Sequence, residues 1–383
     1  MYSHSISRLL TGSSLLLILS GFLTGCSDDN PAVNSSSDGF VCFKPRIGNG
    51  WNEVAASRGE GKSRKLQTLT LRSGDNPLYL VPKEINGINQ GLNKQTETRS
   101  ELTDANGIEN FGVFASMKPD GAISLDGLVA NYMSNVKVTR ENNWQPEERY
   151  LWPGSGSLHF NAYSPFISSP GAEGITSLPS ASASGELHID FVTPADVENQ
   201  IDLMISTPVD SKSSPCDLTF NHALTAIRFA TGSEMAPCTI KEVAVRDAAA
   251  NGNLNMETGE WTALSAISSF SVPVDATLQA AEGSNFVAPD TYITPPDHTL
   301  LLIPQTLPES AAIVITFDVD GKETTLEASL AGTVWTAGKT IIYRLSANPV
   351  SDSFILEISD EDGNPISELT SNYTGSTLNF KIK

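Results

Sequence analysis

The sequence predicts an all-β protein: two β-sandwiches in tandem, followed by a short C-terminal β extension. Runs of alternating apolar and polar residues, rich in β-branched and aromatic types, recur along the 383 residues and are bounded by clusters of Gly, Asn, Asp, Ser and Pro. Helix signals are confined to Pro194–Gln200 and one turn at His222–Leu224. Charged residues make up only 18% of the chain, below the usual proportion of about a quarter. Ser, Thr, Asn and Gly fill the gap, which suits the exposed faces and turns of an extracellular sheet protein.

At the N-terminus, Arg8 precedes an apolar stretch from Leu9 to Leu23 that is too short to span a bilayer stably, so residues 1–25 read as a secretory signal. Leu23-Thr24-Gly25-Cys26 resembles the bacterial lipobox. That implies cleavage between Gly25 and Cys26 and attachment of palmitate-type chains to Cys26, each buried methylene contributing about 0.8 kcal/mol of anchoring. A cleaved signal with a chance cysteine is the alternative. Residues 26–39 form an acidic tether. Within it, Ser27-Asp28-Asp29-Asn30 resembles the surface-export signal of lipoproteins in the Bacteroidota, the alternative being an ordinary solvated linker.

Leu66–Leu71 alternates, Ser73-Gly74-Asp75-Asn76 turns, and Pro77–Val81 is apolar again, which reads as a hairpin. The polar stretch from Asn86 to Asn110 is an exposed loop. Phe111–Ala115 is apolar throughout and reads as a buried strand; Tyr132–Val138, Leu158–Tyr163 and Glu186–Val192 follow. Pro208, Asp210, Ser211, Ser213, Ser214 and Pro215 then mark a boundary between an N-terminal domain, residues 40–207, and a C-terminal domain, residues 208–348. The second contains strands at Leu218–Phe220, Ala226–Ala230, Thr239–Val245, Leu300–Ile303, Ala311–Val319, Glu323–Leu330 and Ile341–Leu345, with Asp320-Gly321 as a hairpin turn. Residues 349–383 are the extension.

The formal net charge of −20 disfavours nucleic acid and anionic lipid headgroups as partners. No second apolar run reaches the length of a membrane span. With Cys26 assigned to lipid, Cys216 and Cys238 are the closest remaining cysteines. A bridge between them would add about 3 kcal/mol; two buried free thiols are the alternative. His4, His159, His188, His222 and His298 show no metal-ligand spacing, and His222 reads as making a structural hydrogen bond. There is no Gly-x-Ser-x-Gly elbow and no phosphate loop before a helix. Asp360-x-Asp362-x-Asn364 lacks the glycine and glutamate of a calcium loop and reads as a turn. No catalytic residue, cofactor or metal is assigned.

Several segments occur in a fixed order over residues 96–348. They are Phe111-Gly112-Val113-Phe114-Ala115; Tyr132–Val136 with Trp144 and Leu151-Trp152-Pro153; Leu158-His159-Phe160-Asn161-Ala162-Tyr163-Ser164-Pro165; Asp202-Leu203-Met204; Leu218–Thr225; Ile303–Leu307; and Trp335–Tyr343. Together they resemble the fimbrillin family, the pilin-like surface lipoproteins of Bacteroidales. The resemblance implies two transthyretin-like β-sandwich domains in a structural or accessory subunit of an adhesive fimbria. It also implies an outer-membrane, cell-surface location and other fimbrial subunits as partners in a homo- or hetero-polymer. Two features depart from the family: Phe40–Thr98 is long for a leader and holds its own hairpin, and Pro349–Lys383 extends past the usual final strand.

Polymerising members of that family fill a missing-strand groove with a strand near the N-terminus. They lose it when a trypsin-like protease cuts after an arginine, and then accept a neighbour's C-terminal strand. Carried onto this sequence, the resemblance makes Arg99 the processing site and Pro77–Pro82, with Leu78 and Leu80, the released plug. Leu378, Phe380 and Ile382, alternating within Thr377–Lys383, become the donor strand. The alternatives are an unprocessed loop arginine, and a tail that forms a hairpin add-on with Phe354–Ile358 or opens a truncated third domain. A different class remains beside these: a non-polymerising surface lipoprotein that binds glycans or host ligands, with Trp144, Trp152, Trp261 and Trp335 as stacking platforms. The receptor is not legible.

Overall fold

The computed structural model describes residues 39–48, 66–71, 77–87, 107–122, 132–171, 174–178, 187–295, 298–319, 321–348, 356–359 and 379–382. Its strands are β1 (Phe43–Ile47), β2 (Leu69–Leu71), β3 (Leu78–Asn86), β4 (Asn110–Lys118), β5 (Met133–Thr139), β6 (Ser157–Ser164), β7 (Ile175–Ser177), β8 (His188–Val192), β9 (Met204–Ser206) and β10 (Val209–Ser211). They continue as β11 (Cys216–His222), β12 (Thr225–Thr231), β13 (Cys238–Asn255), β14 (Trp261–Leu278), β15 (Leu300–Leu302), β16 (Ala312–Val319), β17 (Lys322–Ser329), β18 (Lys339–Ser346), β19 (Leu356–Ser359) and β20 (Asn379–Ile382). The fold is all-β, as the alternation predicts. The helix expected at Pro194–Gln200 is a single 3-10 turn, Val197–Asn199, whose N-terminal Asp196 accepts from the Glu198 N–H at 3.1 Å.

A first, seven-stranded sheet runs β1-β11-β9-β6-β4-β5, with β10 also on β6. A second, five-stranded sheet runs β15-β12-β18-β3-β2, and a third, six-stranded sheet runs β17-β16-β13-β8-β7, with β14 also on β13. The middle of the first sheet, at β4, β6 and β9, is buried on both faces. Phe111, Val113, Phe160 and Phe220 belong to one cluster, while Phe114, Tyr163 and Ile205 belong to another that also takes Ile189, Phe191 and Leu254 from the third sheet. That is why Phe111–Ala115 is apolar without alternation. A third cluster lies between the second and third sheets and joins Ile227, Phe229, Ile341 and Tyr343 to Val243, Val245, Ile313 and Ile315.

The sheets do not follow chain order. The 18-residue β13 pairs β16 along its first half and β8 along its second, so β8 joins the third sheet from before the Pro/Ser cluster. β11, after that cluster, joins the first sheet between β9 and β1. Strands from both sides of residue 207 therefore share sheets. The leader hairpin β2–β3 sits in the second sheet, beside strands of residues 225–346.

Of the two readings of Cys216 and Cys238, the structure has the free thiols; no bridge joins them. Cys216 lies on β11 in the cluster around Phe43, and Cys238 opens β13 at the margin of the cluster around Ile240. Two sheets hold the two residues in separate cores, so their closeness in sequence is not closeness in space. Burial pushes the Cys216 thiol up to about 12 and raises that of Cys238. Among the described residues, no helix is long and apolar enough to cross a membrane.

Candidate strand-exchange site

β3 runs antiparallel to β18 over eight pairs, from Tyr79↔Ser346 to Asn86↔Lys339. On its other side β2 covers only the first part, pairing Leu69↔Leu80, Thr70↔Tyr79 and Leu71↔Leu78. Period-two alternation carries Leu80 into the core. Leu80 and Leu71 are 0% exposed and lie in one cluster with Ile341, Tyr343 and Leu345, while Leu66, Leu69 and Leu78 pack half-buried at its margin. Toward the end of β3 the strand comes to the surface at Lys83 and Glu84.

The acceptor, β18, carries the apolar run Ile341-Ile342-Tyr343 at its centre and is mostly buried along its length. β18 lies inside the sheet, with β12 parallel to it on one side, from Ala226↔Thr340 to Thr231↔Leu345, and β3 on the other. Tyr343 is fully buried beneath, stacked on Phe229 at 6.0 Å and accepting from Trp335 Nε1 at 3.1 Å. Burial holds its phenol above the usual tyrosine range. Polar contacts pin the end of β3. The Gly87 N–H donates to the Gly338 carbonyl at 2.8 Å, Thr340 Oγ1 donates to the Gly87 carbonyl at 2.7 Å, and Lys339 Nζ donates to Asn86 Oδ1.

Of the residues singled out in the sequence, Leu78 and Leu80 are brought to this site. Gly25, Cys26, Arg99, Leu378 and the Asp360–Asn364 turn lie outside the described residues. Phe380 and Ile382 lie in β20 and oppose Ile358 and Leu356 of β19, so here the tail forms the hairpin weighed as an alternative to a free donor. The strand expected at Ile341–Leu345 is β18; its pairing with β3, and β1 as a strand of the first sheet, are the parts that sequence reasoning missed.

A search of protein families matches the fimbrillin-like family over residues 98–361, more than half of the chain. The chain belongs to the fimbrillin-like family. Fimbrillin-like adhesion proteins are components of cell-surface appendages. Similar solved structures include a candidate cell adhesion protein from Bacteroides ovatus, 15% identical over 72% of this chain and 87% of that one, with a TM-score of 0.38. Another, from Bacteroides uniformis, is 13% identical over 79% of this chain and 98% of that one, with a TM-score of 0.39. A third, from Parabacteroides distasonis, is 10% identical over 79% and 95%, with a TM-score of 0.32. None of the curated proteins matches.

In this fimbrillin-like chain the tryptophans expected as glycan platforms are occupied by packing. Trp144 stacks on Phe111 at 6.0 Å, with the Arg140 guanidinium over its ring. Trp152 meets Phe160 edge-on at 5.9 Å and donates from Nε1 to Ser214 Oγ at 2.9 Å. Trp261 meets Phe191 at 5.9 Å and donates to the Ala223 carbonyl at 2.8 Å, and Trp335 is 2% exposed. His222 makes the structural hydrogen bond expected of it, Nδ1 lying 2.9 Å from Asp202 Oδ1. His159 on β6 holds Asp210 Oδ1 at 2.6 Å from Nδ1 and Glu257 Oε1 at 3.1 Å from Nε2. Burial opposes charge on both imidazoles, but the facing carboxylates outweigh it and raise both above the usual range. Among the described residues, no cluster of His, Cys, Asp or Glu is arranged to hold a metal ion.

Proposed function

We propose that this chain is a surface-exposed lipoprotein, acylated at Cys26, that serves as a structural or accessory subunit of an adhesive fimbria assembled by protease-triggered strand exchange. The observation that carries the reading is the place of β3. It completes the second sheet from a position upstream of Arg99, whereas the region shared with the family begins at residue 98. A trypsin-like cut after Arg99 leaves all but the first two residues of the shared region and severs it from the strand its sheet uses.

Departure of β3 makes β18 an edge. The backbone groups of Lys339–Ser346 that faced β3 lose their partners, and the cluster around Ile341, Tyr343 and Leu345 loses its cover. An extended, alternating apolar strand from a neighbouring subunit restores both the backbone ladder and the packing. Leu378, Phe380 and Ile382 have that alternation, once the tail parts from β19.

The test is direct. Intact cells are treated with a trypsin-like protease and the surface protein is run unheated on a denaturing gel. A high-mass ladder is expected, and Arg99→Ala removes it. A lone band of reduced size from the unaltered protein would instead identify a monomeric binder.

A further inference from the structure

Residues 39–48 are held in a manner unlike β3. On one side β1 pairs parallel to β11, from Phe43↔Cys216 to Ile47↔Phe220, and the Gly48 N–H donates to the Phe220 carbonyl at 2.7 Å. On the other side the segment meets residues 144–152. The Phe43 N–H donates to the Trp144 carbonyl at 3.1 Å, the Val41 N–H to the Tyr150 carbonyl at 2.8 Å, and the Trp152 N–H to the Gly39 carbonyl at 2.9 Å. Ser214 Oγ accepts from the Cys42 N–H at 2.9 Å and donates to the Phe40 carbonyl at 2.5 Å. Phe43 is fully buried, edge-on to Phe111 at 5.6 Å and to Phe160 at 5.4 Å. Val41 and Ile47 are buried as well.

Residues 39–48 thus meet two walls in succession, residues 144–152 along Gly39–Phe43 and β11 along Phe43–Ile47, and both walls belong to chain downstream of the segment between β3 and β4. β3 has one such wall, β18. Its other neighbour, β2, belongs to the same upstream piece and leaves with it. The core that β1 enters contains Phe111, Phe160 and Phe220, and the core that β3 enters contains Tyr343 and Phe229. The two attachments therefore load different packing units.

We infer that β1 is a clasp: after a cut between β3 and β4, residues 39–48 stay docked along residues 144–152 and β11, and keep the N-terminal piece on the body while β3 is free to leave. The inference rests on the strand-exchange reading for its biological use. A cut subunit stays joined, without a covalent bond, to whatever its N-terminus is anchored in, and so can stand at the base of a fibre.

The test uses the mature chain in detergent, with a site-specific protease sequence placed between β3 and β4. After cutting, the N-terminal fragment is expected to co-elute with the body on gel filtration. Addition of an excess of a peptide of residues 376–383 is expected to remove hydrogen-exchange protection from Tyr79–Asn86 and to leave that of Phe43–Ile47 intact. Leu80→Asp, which spoils β3 alone, should still leave the fragment bound. Phe43→Ala should speed its release about 100-fold or more, as expected for loss of a buried aromatic ring. If Phe43→Ala does not fold, Phe43→Leu gives the same comparison with a smaller acceleration. Loss of the fragment from the cut Leu80→Asp protein overturns the clasp, as does equal release with and without Phe43. A peptide that leaves β3 protected contradicts strand exchange instead, and the Leu80→Asp and Phe43 comparisons still decide the clasp.

Discussion

Replacing Leu80 with alanine asks whether β3 is packed as a core strand before any cut. Leu80 is completely buried, opposite Leu345 on one side and Leu69 on the other, in the cluster that contains Tyr343. A buried Leu→Ala change costs about 2–5 kcal/mol, the spread reflecting how far the site collapses. β2 is only three residues long and can shift toward the gap, which places the expectation near the lower end, about 2–3 kcal/mol. Glu84 is the internal control. It lies four positions along the same strand, exposed and opposite Ile341, and its replacement by alanine should stay within about 0.5 kcal/mol. The assay is urea denaturation of the three proteins, read as a midpoint shift at constant slope. If Leu80→Ala and Glu84→Ala are both indistinguishable from the parent, β3 is not part of the folded core and the reasoning fails.

Three further outcomes are expected. In Gly112→Ala the new Cβ would stand 2.3 Å from Tyr163 Cε1 and 2.7 Å from Asn135 Oδ1, so a loss of about 1–3 kcal/mol should appear as a lower melting temperature. The Cys216 thiol, buried and shifted up to about 12, should resist alkylation at neutral pH until the protein unfolds; a linked Cys216–Cys238 peptide in a digest would contradict the structure. For His159 and His222 the folded-state pKa is raised, so their stabilisation is complete below the unfolded value of about 6.5 and fades as pH rises through the folded value. Melting temperature should fall from about pH 6 to pH 8, and His159→Gln should flatten part of that fall; an unchanged profile would remove His159 from the explanation.

The hairpin β2–β3 was legible because everything that specifies it is local: alternation in Leu66–Leu71 and Leu78–Val81, with turn residues between. Its acceptor was not, because Asn86 and Lys339 meet across 253 positions of chain and distant pairing leaves no local trace. β13 was read too short and β14 not at all. Register shifts at Ile240/Glu242, Val245/Ala248 and Asn251/Asn253 break the two-residue period, and the Ser- and Ala-rich β14 with Pro273 looks like a loop. β1 carries Pro45 between Lys44 and Arg46, which hides a pattern of alternating burial at Phe43, Pro45 and Ile47. The cluster read as a boundary contains β10, which turns back onto β6. The motif-like features at Cys26 and Arg99 were legible as chemistry alone and depend on no contact.

The most direct measurement ties β3 in place. Tyr79 and Ser346 face each other across β3 and β18, and opposed residues of an antiparallel pair lie about 4.5–5.5 Å apart, within reach of a disulfide. In Tyr79→Cys/Ser346→Cys protein cut after Arg99, oxidation should hold the subunit as a monomer and reduction should release the high-mass ladder. An identical ladder in the oxidised and reduced samples would show that assembly does not pass through the place β3 occupies.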